Sequence, residues 1–319
     1  MNQILDKISN IGLVPVIKID DVEKAVPLAK ALVAGGIPVA EVTFRTAEGE
    51  EAIRRIAKEV PEILVGAGTV LSTEQVDRAI DAGAKFIVSP GFNPKVVSYC
   101  IEKGILITPG CSSPSDMEKA IELGLTTVKF FPAEQAGGLP FLKAVSAPYT
   151  KLTFMPTGGV NAENLSSYLA FDKIVACGGS WMVKADLINE GRFDEITALC
   201  KEAVRSMLNF NLAHIGINAE NEEAATKAAK RFETLFGFAN KSGNSSIFAG
   251  TGVEVMKAPY LGKNGHIAIS TSQIKRAVYH LEQQGLEFDM STAKYDGEKL
   301  KAVYIKEEIG GFAVHLVQK

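Results

Sequence analysis

Lys129 stands between Val128 and Phe130 in the short apolar run TTVKFFPAE. On a strand with no solvent face, a lysine is costly to keep as a cation, and desolvation favours the free amine. A free amine attacks a carbonyl and condenses to an imine, which then draws electrons out of a neighbouring C–C or C–H bond. That chemistry needs a proton carrier, and Glu41 ends another apolar run in PVAEVTFRT. Each residue also has a plainer use: an ion pair with Arg45 for Glu41, and for Lys129 an edge position that lets the ammonium reach water. Arg45 itself suits a carboxylate, which a guanidinium holds through two parallel hydrogen bonds. Thr69, with the Gly66 and Gly68 amides of VGAGTV, can hold the same group. The glycine pairs Gly158-Gly159 and Gly178-Gly179, the second followed by Ser180, suit a phosphate on loop amides. A tight turn would use such a pair equally well.

These residues lie at the ends of regularly spaced runs. The runs are Leu13–Lys18, Pro38–Thr43, Ile63–Ala67, Lys85–Ser89, Ile105–Pro109, Thr126–Phe130, Leu152–Thr157 and Lys173–Cys177, and their starts fall 20 to 26 residues apart. Helical patterns fill the gaps, and Gly closes most helix-to-strand links. Nearly continuous apolar runs fit parallel strands covered by helices. Eight such units predict a (β/α)₈ TIM barrel, with a site at the C-terminal strand ends. The rival is a doubly wound open sheet, which would need a reversal of strand order.

At 319 residues the chain is long enough for about two domains. It is 46% hydrophobic and 22% charged, which places it among globular proteins. A formal net charge of −3 gives no electrostatic reason to expect nucleic acid or an anionic membrane. Its apolar runs fall short of the ~20 residues that span a bilayer. MNQILDKISN lacks the basic-then-apolar pattern of a signal peptide. Cys100, Cys111, Cys177 and Cys200 are scattered, and a reducing cytoplasm fits them best.

EVTFRT, VGAGTV, VSPGFNP, KFFPAE, PTGGV and GGSW occur in that order. Together, over about residues 5 to 208, they resemble the class I aldolases that cleave 2-keto-3-deoxy-6-phosphogluconate, many of which also cleave 4-hydroxy-2-oxoglutarate. The resemblance implies that Lys129 forms the Schiff base and that Glu41 is the general acid and base. It assigns Arg45 and Thr69 to the pyruvate carboxylate, Thr157 and Ser180 to the aldehyde half, and Gly158, Gly159, Gly178 and Gly179 to the phosphate. It places Pro90 and Phe131 around the bound pyruvate. It also implies a homotrimer, a small 2-keto-4-hydroxy acid as substrate, and no cofactor or metal for the aldolase. Cys111 in PGCSSPSD departs from the pattern: it is either an oxidisable neighbour of the site or a small buried apolar residue. A phosphate-binding barrel isomerase or epimerase is the competing enzyme reading.

The aldolase barrel accounts for residues 1–210. Residues 211–319 read strand, helix, short strands, and then the same order again, with AHIGIN and GHIAIS as matching first strands. This predicts a smaller α+β domain of paired βαβββ modules and resembles the glyoxalase, or vicinal oxygen chelate, fold. Strand positions that carry metal ligands in that fold hold His214, Glu254, His266 and His315 here, which suits a divalent ion. Metal-free members exist, and a cavity of histidines in a ligand-sensing or oligomer-forming module is the alternative. His280 falls on the helix and is expected at the surface.

Overall fold

The computed structural model describes residues 3–319 of the chain. The chain divides into two compact units, the first ending at Met207 and the second covering Leu208–Lys319.

The first unit contains eight short parallel strands: β1 (Leu13–Ile17), β2 (Val39–Thr43), β3 (Leu64–Gly68), β4 (Phe86–Ser89), β5 (Leu106–Pro109), β6 (Thr127–Phe130), β7 (Thr153–Pro156) and β8 (Cys177–Gly179). Six form one sheet in the order β5-β4-β3-β2-β1-β8, and β6 pairs with β7. Single bridges complete the ring, Gly110 to Lys129 on one side and Thr157 to Gly178 and Phe154 to Ile174 on the other. The ring is therefore closed, and the open sheet is excluded. All residues of these strands but Val16, Leu106 and Thr153 are buried, which is why they read as apolar runs rather than as alternation. Register lines up Val16, Glu41 and Gly66 across β1, β2 and β3.

One strand is displaced from its expected place. Sequence reading puts the eighth at Lys173–Cys177, but the strand is Cys177–Gly179, so the second glycine pair lies inside it. Glycine carries no strand signal, and packing decides the matter instead. A Cβ at Gly178 would lie 2.3 Å from Thr157 Oγ1, and one at Gly179 would lie 1.9 Å from the Trp181 ring. The first pair does lie beyond its strand, with φ of +97° and +82° at Gly158 and Gly159.

The second unit is one eight-stranded sheet ordered β10-β11-β12-β9-β13-β16-β15-β14. Its strands are β9 (Asn211–Asn218), β10 (Asn240–Ser242), β11 (Ser246–Ala249), β12 (Val253–Met256), β13 (His266–Thr271), β14 (Phe288–Asp296), β15 (Lys299–Ile309) and β16 (Phe312–Gln318). Helices Glu222–Phe236 and Ile274–Glu282 each follow the first strand of a module. Two βαβββ modules thus meet where β9 runs antiparallel to β13. Ala225 and Ala229 of the first helix pack on Ile247 and Val255 of the sheet. Two strands escape sequence reading. β10 is wholly polar and exposed, and β14 carries register shifts after Asp289 and Lys294 that break its alternation. His280 is 3% exposed, not at the surface as expected, because helical spacing puts it with Arg276 and Ala277 on the buried face.

Candidate active site and a histidine cup

Lys129 and Glu41 come from strands on opposite sides of the ring and meet inside it. Lys129 Nζ donates to Glu41 Oε1 at 3.1 Å, and the side chains are 6% and 1% exposed. Neither plainer use holds: Lys129 is on no edge, and Glu41 pairs with Lys129 rather than with Arg45. A cation buried beside a carboxylate keeps its charge at far lower cost than an isolated one. Glu41 Oε2 is buried with no hydrogen-bond partner among the described residues, so one oxygen is left to handle a proton. The Lys129 ammonium also lies 5.3 Å from the centre of the Phe131 ring.

Room for the carboxylate comes from a residue whose part sequence reading missed. A Cβ on Gly68 would fall 2.4 Å from Glu41 Oε1 and 2.7 Å from its Cγ, closer than atoms tolerate. Gly66 is required by a different neighbour, since a Cβ there would enter the Phe86 ring at 2.5 Å. Sequence reading offers the amides of these glycines to a carboxylate; the structure gives each a steric reason to lack a side chain. Thr69 follows at once with φ +59°, a left-handed backbone that non-glycine residues rarely hold. Its Oγ1 accepts from exposed Arg45 Nε at 3.3 Å, which brings the two expected carboxylate binders together.

Thr157 sits on the rim just past β7 and is 5% exposed, bridged to Gly178. A Cβ at Gly158 would approach the Phe131 ring at 3.3 Å, so this glycine lies against the ring that neighbours Lys129. Gly159 rests on the side chain of Glu134, whose carboxylate accepts the Tyr168 hydroxyl. Pro90 follows β4 and exposed Ser180 follows β8. Both stand at the expected ends of their strands. Cys111 is fully buried beside Lys129, and its amide donates to the Lys129 carbonyl at 2.8 Å. Burial, aided by Asp116, pushes its thiol up to about 12, so it behaves as the small apolar residue and not as a reactive thiolate.

With the barrel and its pair in place, comparison with known proteins gives a consistent result. Residues 4–199 match the family model for KDPG and KHG aldolase. The chain belongs to that family. A 2-dehydro-3-deoxy-phosphogluconate aldolase of Treponema pallidum is 47% identical over 205 residues, covering 64% of this chain and 98% of that protein. The KHG/KDPG aldolase of Escherichia coli K12 is 47% identical over 192 residues, covering 60% of this chain and 90% of that protein. A crystal structure of a Legionella pneumophila KDPG aldolase, with pyruvate captured as a covalent carbinolamine, is similar with a TM-score of 0.61 at 38% identity, covering 62% of this chain and 97% of that one. Family membership makes the first unit an aldolase, and so a lyase.

The second unit gathers four residues from its four central strands. His214 Nε2 and His266 Nε2 each lie 3.1 Å from Glu254 Oε2 and 3.3 Å from each other. Nitrogens of His214, His266 and His315 fall within 4.8 Å of one another. Ser246 Oγ donates to Glu254 Oε1 at 2.5 Å and orients the carboxylate. Burial alone would raise Glu254; hydrogen bonds from His214, His266 and Ser246 outweigh it and hold the carboxyl well below its usual range. His315 is buried, and neither ring nitrogen has a hydrogen-bond partner among the described residues. Burial first, then the neighbouring His266 and His214, lowers it to about 3.

Two predictions follow from these geometries. Gly68→Ala should keep the fold while lowering kcat by about 10- to 100-fold, because the Glu41 carboxylate must move away from Lys129. A kcat within twofold of wild type, by steady-state assay, would show that the spacing does not matter. His315 is neutral in the fold, whereas in the unfolded chain it takes up a proton below its ordinary value of 6.5. Its contribution is therefore intact above pH 6.5 and is lost as pH falls from there toward 3. Urea unfolding of the chelator-treated protein should show the second unit weakening by up to about 1.4 kcal/mol per pH unit in that window. His315→Phe, which keeps a ring against Tyr304, should flatten the dependence.

Proposed function

We propose that the first unit cleaves 2-keto-3-deoxy-6-phosphogluconate to pyruvate and glyceraldehyde 3-phosphate, and 4-hydroxy-2-oxoglutarate to pyruvate and glyoxylate. The observation that carries the reading is the buried Lys129–Glu41 pair inside a closed barrel. Lys129 delivers its proton to Glu41 and attacks the substrate C2 carbonyl. The carbinolamine loses water, with proton transfer through Glu41, to give an iminium. Glu41 then takes the proton of the C4 hydroxyl. The C3–C4 bond breaks, its electron pair runs into the iminium, and the aldehyde leaves. Glu41 returns the proton to C3 of the enamine, and water releases pyruvate and restores the amine.

Arg45 and Thr69 hold the pyruvate carboxylate, with Phe131 and Pro90 packed around it. Thr157 and Ser180 meet the aldehyde half. Gly158, Gly159, Gly178 and Gly179 receive the phosphate where one is present. No cofactor enters these steps. The reading also takes the enzyme as a cytoplasmic homotrimer. No helix among the described residues is long and apolar enough to cross a membrane. An isomerase or epimerase does not need an imine-forming lysine, so trapping of a pyruvate adduct separates the two readings.

Borohydride with pyruvate should trap an adduct on the peptide holding VKFFPAE, located by mass spectrometry. Lys129→Arg should lose both trapping and turnover, since guanidinium is no usable nucleophile. Trapping on another lysine of the active enzyme would reassign the nucleophile.

For the second unit, a glyoxalase-like domain holding one divalent metal is supported by its paired modules and its histidine cup. The residues fit such an ion: three imidazoles and one carboxylate converge, and His315 is buried with no other partner for its nitrogens. His214, His266, His315 and Glu254 would hold it, and a bound ion would polarise an oxygen of a ligand placed in the cup. After metal supplementation, elemental analysis should find about one ion per chain, lost in His266→Ala. Metal-free, well-folded protein would leave a binding module lined with histidines.

A further inference from the structure

Past its C-terminal end, β7 runs into the turn Gly158-Gly159, where both residues hold a left-handed backbone that glycine takes easily, with φ of +97° and +82°. A glycine turn loses much conformational freedom when it is held in one shape, so its anchors decide how well it is defined. Two of them are hydrogen bonds to its carbonyls. The Glu134 amide, on the segment that follows β6, donates to the Gly158 carbonyl at 3.1 Å. The Asn164 side-chain amide donates to the Gly159 carbonyl at 3.1 Å, and that of Asn161 does so at 3.4 Å.

Asn164 is itself fixed. Its Oδ1 accepts from the Asn161 backbone N–H at 2.9 Å, which leaves the Nδ2 end to face Gly159. In a trans peptide the C=O and the N–H of the next residue point opposite ways. Holding the two carbonyls therefore sets the directions of the Gly159 and Val160 N–H groups.

Packing supplies a third anchor. A Cβ on Gly159 would lie 2.5 Å from Cγ and 2.6 Å from Cβ of Glu134, so the turn rests on the aliphatic stem of that residue. The carboxylate reaches elsewhere: its Oε1 accepts the hydroxyl of Tyr168, a residue 1% exposed on the short helix Leu165–Leu169. Gly138, with φ +58°, leaves room for this meeting. A Cβ there would lie 3.2 Å from Glu134 Oε1 and 3.3 Å from the Tyr168 hydroxyl oxygen. A free carboxylate is an unfavourable neighbour for a phosphate, and the phenol ties this one toward the helix.

We propose that Glu134, Tyr168 and Asn164 are positioning residues for the phosphate end of the substrate. They hold the Gly158-Gly159 turn with its N–H groups presented to a phosphate, and so set how strongly the enzyme favours a phosphorylated substrate over one without phosphate. This rests on the reading that the glycine pair receives the phosphate. Donors fixed before the anion arrives bind it without the entropic cost of ordering the turn.

The test measures steady-state pyruvate release by the full chain from 2-keto-3-deoxy-6-phosphogluconate and from 4-hydroxy-2-oxoglutarate, which carries no phosphate. Tyr168→Phe removes one buried oxygen atom, and Asn164→Leu removes the donor while keeping a side chain of similar size. Each should raise KM for the phosphorylated substrate about 5- to 10-fold, the loss expected for one hydrogen bond, with kcat changed less than about twofold. Each should leave kcat/KM for 4-hydroxy-2-oxoglutarate within about twofold of wild type, which also reports an intact fold. Equal losses on both substrates would overturn the positioning roles, since a contribution to stability alone does not distinguish substrates. A selective loss in one variant but not the other would overturn the role of the unaffected anchor. Gly159→Ala alters the turn itself and separates this inference from the reading beneath it. If Gly159→Ala weakens only the phosphorylated substrate while Tyr168→Phe and Asn164→Leu leave it unchanged, the positioning roles fall and the phosphate reading stands. If Gly159→Ala does not distinguish the substrates, the phosphate reading falls and this inference with it.

Discussion

An ammonium and a carboxylate lie 3.1 Å apart in the interior of the first unit, almost out of contact with water. Either charge alone would be too costly to bury there, and each makes the other tolerable. Much of the barrel can be understood as the arrangement that keeps them together. Ring closure brings β2 and β6, which are far apart in sequence, to face each other across a shared interior. Gly68 gives up its side chain so that Glu41 can lie against Lys129. Thr69 accepts a left-handed backbone one residue later and meets Arg45 at the rim. The pair is thus packed from below by the interior and bordered from above by residues that can bind an anionic substrate. One strained residue and one missing side chain are small local costs beside an unpaired buried charge.

Much of this arrangement is legible in the residue order. Eight apolar runs with helical gaps between them specify the barrel, because each strand is buried on both faces and so appears as a continuous run. Lys129 is conspicuous because it interrupts such a run, and so is Glu41, which stands in the middle of β2 rather than at its end. The partnership itself cannot be read, since it spans 88 positions of sequence and depends on ring closure. The same limit explains Gly178 and Gly179: a loop and a strand of glycines look alike until Thr157 and Trp181 are seen filling the space where their side chains would be. In the second unit, repetition of AHIGIN and GHIAIS reveals the modules and two of the histidines, and VEV matched to VHL reveals Glu254 and His315. It does not reveal Tyr304, whose place beside His315 is set by antiparallel register between β15 and β16. Nor does it reveal β14, where irregular pairing erases the alternating pattern.

The two units solve the problem of buried polar groups differently. In the first, opposite charges on separate strands neutralise each other directly. In the second, one carboxylate is shared between two imidazoles, and a third imidazole has no hydrogen-bond partner among the described residues. A hydroxyl from Ser246 fixes the far oxygen of that carboxylate and so decides which oxygen faces the histidines. Such outer support is what gives a cluster of ligating groups a defined geometry.

The ring of the first unit is assembled from two sheets. Six strands lie in the order β5-β4-β3-β2-β1-β8, while β6 and β7 pair with each other and meet the rest through bridges, Gly110 to Lys129 on one side and Phe154 to Ile174 and Thr157 to Gly178 on the other. Glu41 stands in the larger sheet and Lys129 in the smaller. Their ion pair is therefore also a side-chain tie between the two pieces of the wall.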